Sequence, residues 1–162
     1  DRHGKKYNPI ELFSENIVVN KLIQENFNIF KPSIENLEYD LVIYKGNKFF
    51  KIQMKTASFN KKTNNYSLSN LNFFKYKKKI FSKYKYPNID FFIIVCIGTN
   101  YCYVIPNSIL RKRNNITLNF YPNRTKNFYN KISTINTDNY YEKFNLIKWK
   151  INQKSQYFKK EF

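Results

Sequence analysis

Residues 39–57 read YDLVIYKGNKFFKIQMKTA, two runs of strand-forming residues joined by the turn dipeptide Gly46-Asn47. Valine, isoleucine, tyrosine and phenylalanine are enriched in strands, and a glycine-asparagine pair between two such runs favours a two-residue turn. The pattern therefore predicts an antiparallel β-hairpin. A two-residue turn also fixes which residues of the two strands lie opposite each other.

In this register Asp40 lies opposite Gln53, at the end of the hairpin away from the turn. Opposed side chains on one face of a sheet have Cβ atoms about 4.5–5.5 Å apart, so we expect the two side chains to converge. Lys55 occupies the next position on the same face, where Glu38 would lie opposite it and form a surface ion pair of little energetic weight. A three-residue loop or a bulge would shift the register and send one partner to the other face.

The rest of the chain predicts an α+β fold, with a mixed central β-sheet flanked by helices. Residues 9–26 have apolar residues near helical spacing, and Phe27–Phe30 predicts a short strand. Residues 89–97 form a nearly continuous apolar run that is typical of a buried central strand. Further predicted elements are a strand at 66–68, a helix or loop at 71–84, strands at 101–105 and 115–120, a short helix at 108–110, an irregular segment at 122–138 and a final helix at 140–149. At this length, and without a linker, we expect one domain over residues 1–162.

The charge of the chain points to a polyanionic partner. Its 162 residues include 29 basic and 11 acidic ones, for a net charge of +18, and most of the acidic residues lie in residues 1–40. A surplus of lysine also accompanies AT-rich coding DNA, which is the alternative explanation. A small acidic pocket within a basic protein is, however, what a metal-dependent enzyme that acts on nucleic acid requires.

The composition argues against several other kinds of site. Cys96 and Cys102 are too few for a disulfide framework and lie in no metal-binding pattern, so we expect them to be small apolar strand residues. His3 is the only histidine, which argues against a histidine-based triad. No apolar run is long enough to span a membrane, and we expect an intracellular protein, a DNA-containing organelle being one such location.

Two basic clusters are suited to contact with the DNA backbone. One interleaves lysines with tyrosines, and the other combines arginine with lysine. A solvated basic face is the alternative for any one of these residues, but together they offer enough phosphate contacts to make binding strongly salt-dependent. The candidate DNA-binding residues are Lys75, Lys77, Lys78, Lys79, Lys83, Lys85, Arg111, Lys112 and Arg113.

Asp40, Gln53 and Lys55 on one face, beside a helix that offers a carboxylate, suit phosphodiester hydrolysis. Carboxylate and amide oxygens bind Mg²⁺, which polarises the phosphate, and a lysine can orient or help to deprotonate the attacking water. Glu11 and Glu15 share one face of the predicted helix, and either one could supply the carboxylate. The alternative is that an aspartate at a strand start and alternating lysines on an exposed strand have no catalytic role.

Glu15, the segment YDLVI at 39–43 and the segment KIQMKTA at 51–57 together resemble the PD-(D/E)XK nuclease superfamily. The resemblance is greatest to its small branch of intron-encoded homing endonucleases, in which glutamine stands where most relatives have an acidic residue. YVIP at 103–106 and YYE at 140–142 are similar to later segments of this branch. The resemblance implies a restriction-endonuclease-like core.

The resemblance also implies a role for each candidate residue. Asp40 would be the central metal ligand, with Glu15 completing the metal site. Gln53 would donate an oxygen to the metal, and Lys55 would be the catalytic lysine. Tyr39 stands in place of the family's proline, at a position that shapes the backbone. Because Gln53 carries no charge, the site should bind a cation less strongly than an acidic residue would allow.

The function implied by the resemblance is a Mg²⁺-dependent endonuclease that hydrolyses double-stranded DNA. One active site cuts one strand, so double-strand cleavage implies a homo-oligomer, a dimer or a tetramer. The alternatives are a junction resolvase or restriction-type nuclease with the same core, and a DNA- or RNA-binding protein that has lost its catalytic activity.

Overall fold

The computed structural model describes residues 9–34, 37–69, 73–76, 79–84, 86–110, 117–120 and 135–147, with the backbone alone in 73–76 and 79–84. Its elements are helix α1 (Pro9–Gln24), strands β1 (Asn28–Phe30), β2 (Leu41–Lys45), β3 (Lys48–Asn60), β4 (Asn65–Leu68), β5 (Phe73–Tyr76), β6 (Lys79–Tyr84), β7 (Phe91–Cys96) and β8 (Cys102–Pro106), helix α2 (Asn107–Leu110), strand β9 (Leu118–Phe120) and a 3₁₀ helix (Thr137–Tyr140). Across these ranges, none of the helices has the length and apolar character needed to cross a bilayer.

The long strand β3 organises a mixed sheet of seven strands. Its first part pairs antiparallel with β2, its middle part pairs parallel with β7, and its end pairs antiparallel with β4. The sheet is extended by β1 next to β2, by β8 next to β7 and by β9 next to β4. The predicted α+β class with a mixed central sheet is thereby confirmed.

The hairpin of β2 and β3 has the predicted register, with Lys45 opposite Lys48 and Leu41 opposite Ile52. Gly46 and Asn47 both have positive φ, 57° and 62°, as a type I′ turn requires. Strand β2 begins only at Leu41, whereas β3 continues far beyond Ile52. The two strands therefore separate at the end of the hairpin away from the turn.

The sheet divides the buried apolar residues into two clusters. The cluster between α1 and the sheet includes Val18, Leu22, Leu41, Ile43, Phe50, Ile52, Phe91 and Phe144. The cluster on the opposite face includes Ala57, Tyr86, Phe92, Ile94, Tyr103, Leu110 and Phe120. Because side chains alternate along a strand, Ile52 faces α1 while Gln53 and Lys55 share the opposite face with Ala57.

The expected roles of Cys96 and Cys102 agree with this arrangement. Both thiols are free and buried within strands of the sheet. Burial raises the pKa of Cys96 to about 12 and that of Cys102 to about 12 as well. Protonated, buried thiols of this kind act as small apolar side chains.

The prediction of a helix or loop over residues 71–84 was wrong. This segment contains β5 and β6, which form a separate two-stranded antiparallel sheet with Lys75 opposite Ile80 and Tyr76 opposite Lys79. Aromatic and β-branched residues occur throughout both strands and favour extended backbone, and this preference outweighs the lysines between them.

The C-terminal part of the chain also differs from the prediction. In place of a continuous helix from residue 140, a 3₁₀ helix ends at Tyr140, and the backbone is α-helical again at residues 145–147, the last ones described. The helix cannot continue because Glu142 adopts a φ of 50°, in the left-handed region. The predicted strand at 115–120 is observed as Leu118–Phe120. Residues 115–116, Trp149 and most of the segment 122–138 lie outside the described residues.

Glu142 joins this C-terminal segment to α1 and β8 by an ion pair and hydrogen bonds. Lys21 Nζ donates to both carboxylate oxygens of Glu142 at 2.8 Å. The backbone N–H of Cys102 donates to Glu142 Oε1 at 3.0 Å, and the N–H of Glu142 donates to the carbonyl of Cys102 at 2.9 Å. These bonds hold the unusual backbone conformation in place.

Glu142→Gln is expected to lower the free energy of unfolding by about 2 kcal/mol, because the ammonium of Lys21 loses its negative partner in a largely shielded site. The two side chains are only 23% and 30% exposed. For a chain of this length, the loss corresponds to a fall of about 4–8 °C in melting temperature. Asp138→Asn, at an exposed position, is the control and should change the free energy by less than about 0.5 kcal/mol. Equal melting temperatures for the two variants would contradict the role of Glu142.

Candidate active site

Asp40 lies immediately before β2, at the point where β2 and β3 separate. Its backbone N–H donates to the carbonyl of Ile52 at 2.9 Å. Its Oδ2 accepts hydrogen bonds from the backbone N–H of Met54 and from Nε2 of Gln53, both at 2.6 Å. The Met54 N–H lies beyond the pairing of Ile52 with Leu41, the first residue of β2. The Asp40 carboxylate therefore satisfies a donor that β2 does not reach.

The pKa of Asp40 is raised above its ordinary value. Burial is the main cause, and it is opposed by the backbone hydrogen bond from Met54 and by the positive charge of Lys55. The negative charges of Glu15 and Glu11 raise the pKa further. An additional positive charge at this position would stabilise the ionised carboxylate, which is the electrostatic condition for cation binding.

Gln53 contributes a buried amide group to the same cluster. Its side chain is 6% exposed, and its Nε2 lies 2.6 Å from Asp40 Oδ2 and 3.3 Å from the carbonyl oxygen of Met54. Rotation of the amide by half a turn would present Oε1 in place of Nε2. Carboxylate, amide and backbone carbonyl oxygens are the ligands that hard divalent cations such as Mg²⁺ take, so the donor set fits such an ion.

Helix α1 brings Glu15 towards this cluster. The neighbouring Ser14 is buried, and its Oγ accepts a hydrogen bond from Thr56 Oγ1 at 3.0 Å, which ties the helix to β3 one residue beyond Lys55. Glu15 Oε1 forms an ion pair with Nζ of Lys31, the residue that follows β1. The charge of Glu15 acts on Asp40 from this position.

The two candidate helix carboxylates differ in exposure. Glu15 is partly buried, whereas Glu11, one turn earlier, is exposed. The charge of Glu15 raises the pKa of Asp40 more than the charge of Glu11 does. Glu15 is therefore the better placed of the two.

Lys55 is partly buried, and its amino group lies over the ring of Tyr86. Its Nζ lies 5.5 Å from the centroid of the Tyr86 ring, within the range of a cation–π contact. The Tyr86 ring packs edge-to-face on Phe92 at 5.3 Å, and the Tyr86 carbonyl accepts a hydrogen bond from the buried Nδ2 of Asn107 at 2.9 Å. The ammonium of Lys55 thus rests on a ring that is itself fixed.

The observed site agrees with the predicted geometry in part. Asp40 and Gln53 converge, and Lys55 is close enough for its charge to act on Asp40. The expected pairing of Glu38 with Lys55 is wrong, since Glu38 Oε2 accepts a hydrogen bond from Nδ2 of Asn88 at 3.1 Å. In the ranges that the structure describes, no group of three or more His, Cys, Asp and Glu residues could hold a metal ion, so the candidate ligands depend on the glutamine.

Sequence reasoning did not identify Lys31, Tyr86 or Asn107 as part of the site. The one weak signal in the sequence is the position of Asn107 directly after the YVIP segment and before the predicted short helix. In the structure Asn107 is buried and begins α2. The contacts of all three residues join segments that are distant in the sequence.

The candidate DNA-binding residues are described only in part. Lys75, Lys79 and Lys83 lie in β5 and β6, for which the backbone is described. The others lie outside the described residues: Lys77, Lys78, Lys85, Arg111, Lys112 and Arg113.

The chain resembles known proteins both in its sequence profile and in its structure. The sequence profile of a family described as PD-(D/E)XK endonuclease matches residues 13–142, a span that includes all four candidate catalytic residues. The solved structure of a bacterial homing endonuclease, I-Ssp6803I, is similar, with a TM-score of 0.72 and 21% sequence identity over 91% of this chain and 95% of that chain. At this identity the structural similarity shows a shared fold. No curated protein matches the chain in sequence.

Proposed function

The chain belongs to the PD-(D/E)XK endonuclease family, and from this membership we propose that it is a Mg²⁺-dependent enzyme that cuts double-stranded DNA at specific sites, as a homing-type endonuclease. The observation that carries the proposal is the convergence of Asp40, Gln53 and Lys55 where β2 and β3 separate. The negative charge of Glu15, which acts on Asp40, supports it.

Asp40, Glu15 and Gln53 would hold the cation, and Met54 could add its carbonyl oxygen. When bound, a divalent cation neutralises charge on the scissile phosphate and polarises the phosphorus–oxygen bonds. The N–H of Met54 fixes the orientation of Asp40, so the ligand is positioned before any cation arrives.

Lys55 would act directly on the reacting groups. Its ammonium, held over Tyr86, can donate hydrogen bonds to the attacking water or to a phosphate oxygen. Water adds to the phosphorus as the bond to the leaving oxygen breaks. The proton that the water gives up passes to solvent, and the leaving oxygen takes a proton from solvent to end as a hydroxyl group. The positive charge of Lys55 also opposes the build-up of negative charge in the transition state.

The proposed DNA partner and assembly follow from charge and from the number of active sites. A net charge of +18 favours a polyanion, and a homing-type enzyme acts in a compartment that contains DNA. One active site hydrolyses one strand, so we propose that a dimer or tetramer cuts both strands.

A cleavage assay tests this function. Plasmid and genomic DNA are incubated with the protein at low salt, either with Mg²⁺ or with a chelator, and the ends are sequenced. We expect discrete cuts at a long site in the presence of Mg²⁺ alone. Cuts at a short site would favour a restriction-type enzyme, and a preference for branched DNA would favour a resolvase. Salt-sensitive binding without cutting would instead support a DNA-binding protein without catalytic activity. The described site is compatible with this outcome, because it contains few carboxylates to hold a cation.

The hairpin of β5 and β6 is proposed to bind the DNA backbone. Replacing Lys75, Lys79 and Lys83 by glutamine is expected to weaken binding and to reduce the slope of log affinity against log salt by about 0.9 for each phosphate that a lysine no longer neutralises. Fluorescence anisotropy over a range of salt concentrations measures both quantities. Replacing Lys61, Lys62 and Lys143 by glutamine removes the same charge elsewhere and is the control. An equal change of slope in the two triple variants would argue against a specific role for the hairpin.

A further inference from the structure

Glu15, one of the candidate metal ligands, already forms an ion pair with a lysine. Lys31 Nζ contacts Oε1 of Glu15, with the lysine side chain 61% exposed and the glutamate side chain 28% exposed. Lys31 lies outside every motif of the sequence and reaches Glu15 because β1, which it follows, packs against α1. A positive charge is therefore already placed on the carboxylate that would coordinate the cation.

The charges around Asp40 indicate what the ion pair of Lys31 with Glu15 contributes to the site. Glu15, Glu11 and Asp40 are all negative, and the first two raise the pKa of Asp40 through repulsion. Lys31 compensates the charge of Glu15, and the positive charge of Lys55 lowers the pKa of Asp40. Glu15 and Asp40 thus each have a lysine that offsets part of the repulsion.

We propose that Lys31 is a positioning residue, an internal counter-ion that holds the Glu15 carboxylate and that the divalent cation must displace. This inference rests on the proposed function, because it takes Glu15 as a metal ligand. Lys31 and the cation compete for the same carboxylate oxygen. The mostly exposed ammonium can leave it by rotation of its own side chain, without movement of α1 or β3.

Competition predicts opposite effects on stability and on metal affinity. Without Lys31, the repulsion among the carboxylates is no longer offset, so the metal-free protein should melt at a lower temperature. The cation then meets no competitor and should bind about three- to fivefold more tightly, in line with the strength of exposed ion pairs. A purely structural role would lower the melting temperature without strengthening metal binding.

The test is a titration of the DNA-free protein with Mn²⁺, whose free concentration is read by electron paramagnetic resonance. Mn²⁺ takes the same oxygen ligands as Mg²⁺. The variants are Lys31→Met, Lys31→Arg, Glu15→Gln and the double variant Lys31→Met with Glu15→Gln. Lys62→Met controls for the loss of a positive charge away from the site. Melting temperatures with and without Mn²⁺ provide the second readout.

We expect Lys31→Met to tighten Mn²⁺ binding about three- to fivefold, and Lys31→Arg and Lys62→Met to leave it within about twofold. In the Glu15→Gln background, Lys31→Met should have no further effect. An unchanged or weaker affinity in Lys31→Met would overturn the inference, as would an equal gain in the Glu15→Gln background. If Glu15→Gln alone left Mn²⁺ binding unchanged, the proposed ligand role of Glu15 would fail, and the inference with it.

Discussion

Asp40→Asn is expected to lower the cleavage rate by at least about a thousandfold while it raises the melting temperature of the metal-free protein. The loss of cleavage follows if Asp40 is the central negative ligand, as the proposed function has it. The asparagine Oδ1 can still accept the hydrogen bonds that Met54 and Gln53 donate to Asp40. The fold around the site should therefore survive the substitution.

The gain in stability follows from the raised pKa of Asp40. The ordinary value is 3.8, and burial raises it in the folded protein. A carboxyl group with a raised folded pKa contributes stability that is fully present below the ordinary value and is lost as pH rises through the folded value. At neutral pH the ionised carboxylate of Asp40 thus destabilises the metal-free protein. Asparagine carries no charge, so removing this cost is expected to raise the melting temperature of the metal-free protein.

Thermal unfolding in a chelator, at about pH 7 and about pH 4, measures this effect. The difference between Asp40→Asn and the unmodified protein should shrink as pH falls, because protonation makes the Asp40 side chain as neutral as that of asparagine. Asp90→Asn is a matched control: Asp90 also precedes a strand, and its Oδ2 accepts a hydrogen bond from the N–H of Lys51 at 3.0 Å. We expect Asp90→Asn to retain cleavage. A lower melting temperature for Asp40→Asn at neutral pH would show that its ionised carboxylate stabilises the fold.

Lys55→Met is expected to lower the cleavage rate by about 10²–10⁴-fold, the range for removal of a group that acts on the proton and charge of the transition state. Methionine keeps most of the length and apolar character of the lysine stem, so packing against Tyr86 should be preserved. DNA affinity should change by only a few fold, because Lys55 is one of many basic residues. Single-turnover cleavage and equilibrium binding, measured on the same DNA, separate the two effects.

Lys51→Met is the matched control for this substitution. Lys51 lies on the same strand, and its Nζ lies 5.4 Å from the centroid of the Tyr39 ring, much as Lys55 lies 5.5 Å from that of Tyr86. The two lysines share a strand and a type of aromatic contact, and Lys55 is the one whose charge acts on Asp40. We expect Lys51→Met to cleave at close to the unmodified rate. Similar losses in both variants would point to a general effect of charge on DNA binding.

The central hairpin and the family could both be predicted, because short stretches of the sequence carry the patterns that indicate them. The turn at Gly46-Asn47 sets the register, and the register places Asp40 beside Gln53. The resemblance to PD-(D/E)XK nucleases, drawn from Glu15 and the two hairpin strands, is confirmed by the family match. Short-range patterns of this kind depend on few other residues.

The features that were missed depend on packing between distant segments. Lys31 meets Glu15 across the gap between a helix and an edge strand, and Tyr86 meets Lys55 through a loop that Asn107 fixes from another element. Contacts of this kind leave no periodic pattern in the sequence from which they could be predicted. The segment 71–84 was mispredicted for a different reason, because its lysines obscured a strand pattern carried by aromatic residues.

The central strand β3 has a consequence for the newly synthesised chain. The pairing of β3 with β2 ends at Ile52, so the hairpin can form as soon as this residue has left the ribosome. The parallel partner β7, however, begins only at Phe91, and the hydrogen bond that fixes Tyr86 comes from Asn107. Parallel pairing over such a separation forms late in folding, since the intervening chain must first be ordered. A truncated translation product would carry Asp40, Gln53 and Lys55 without the support that positions them. We therefore expect incomplete chains to be harmless to the DNA of the cell that makes them.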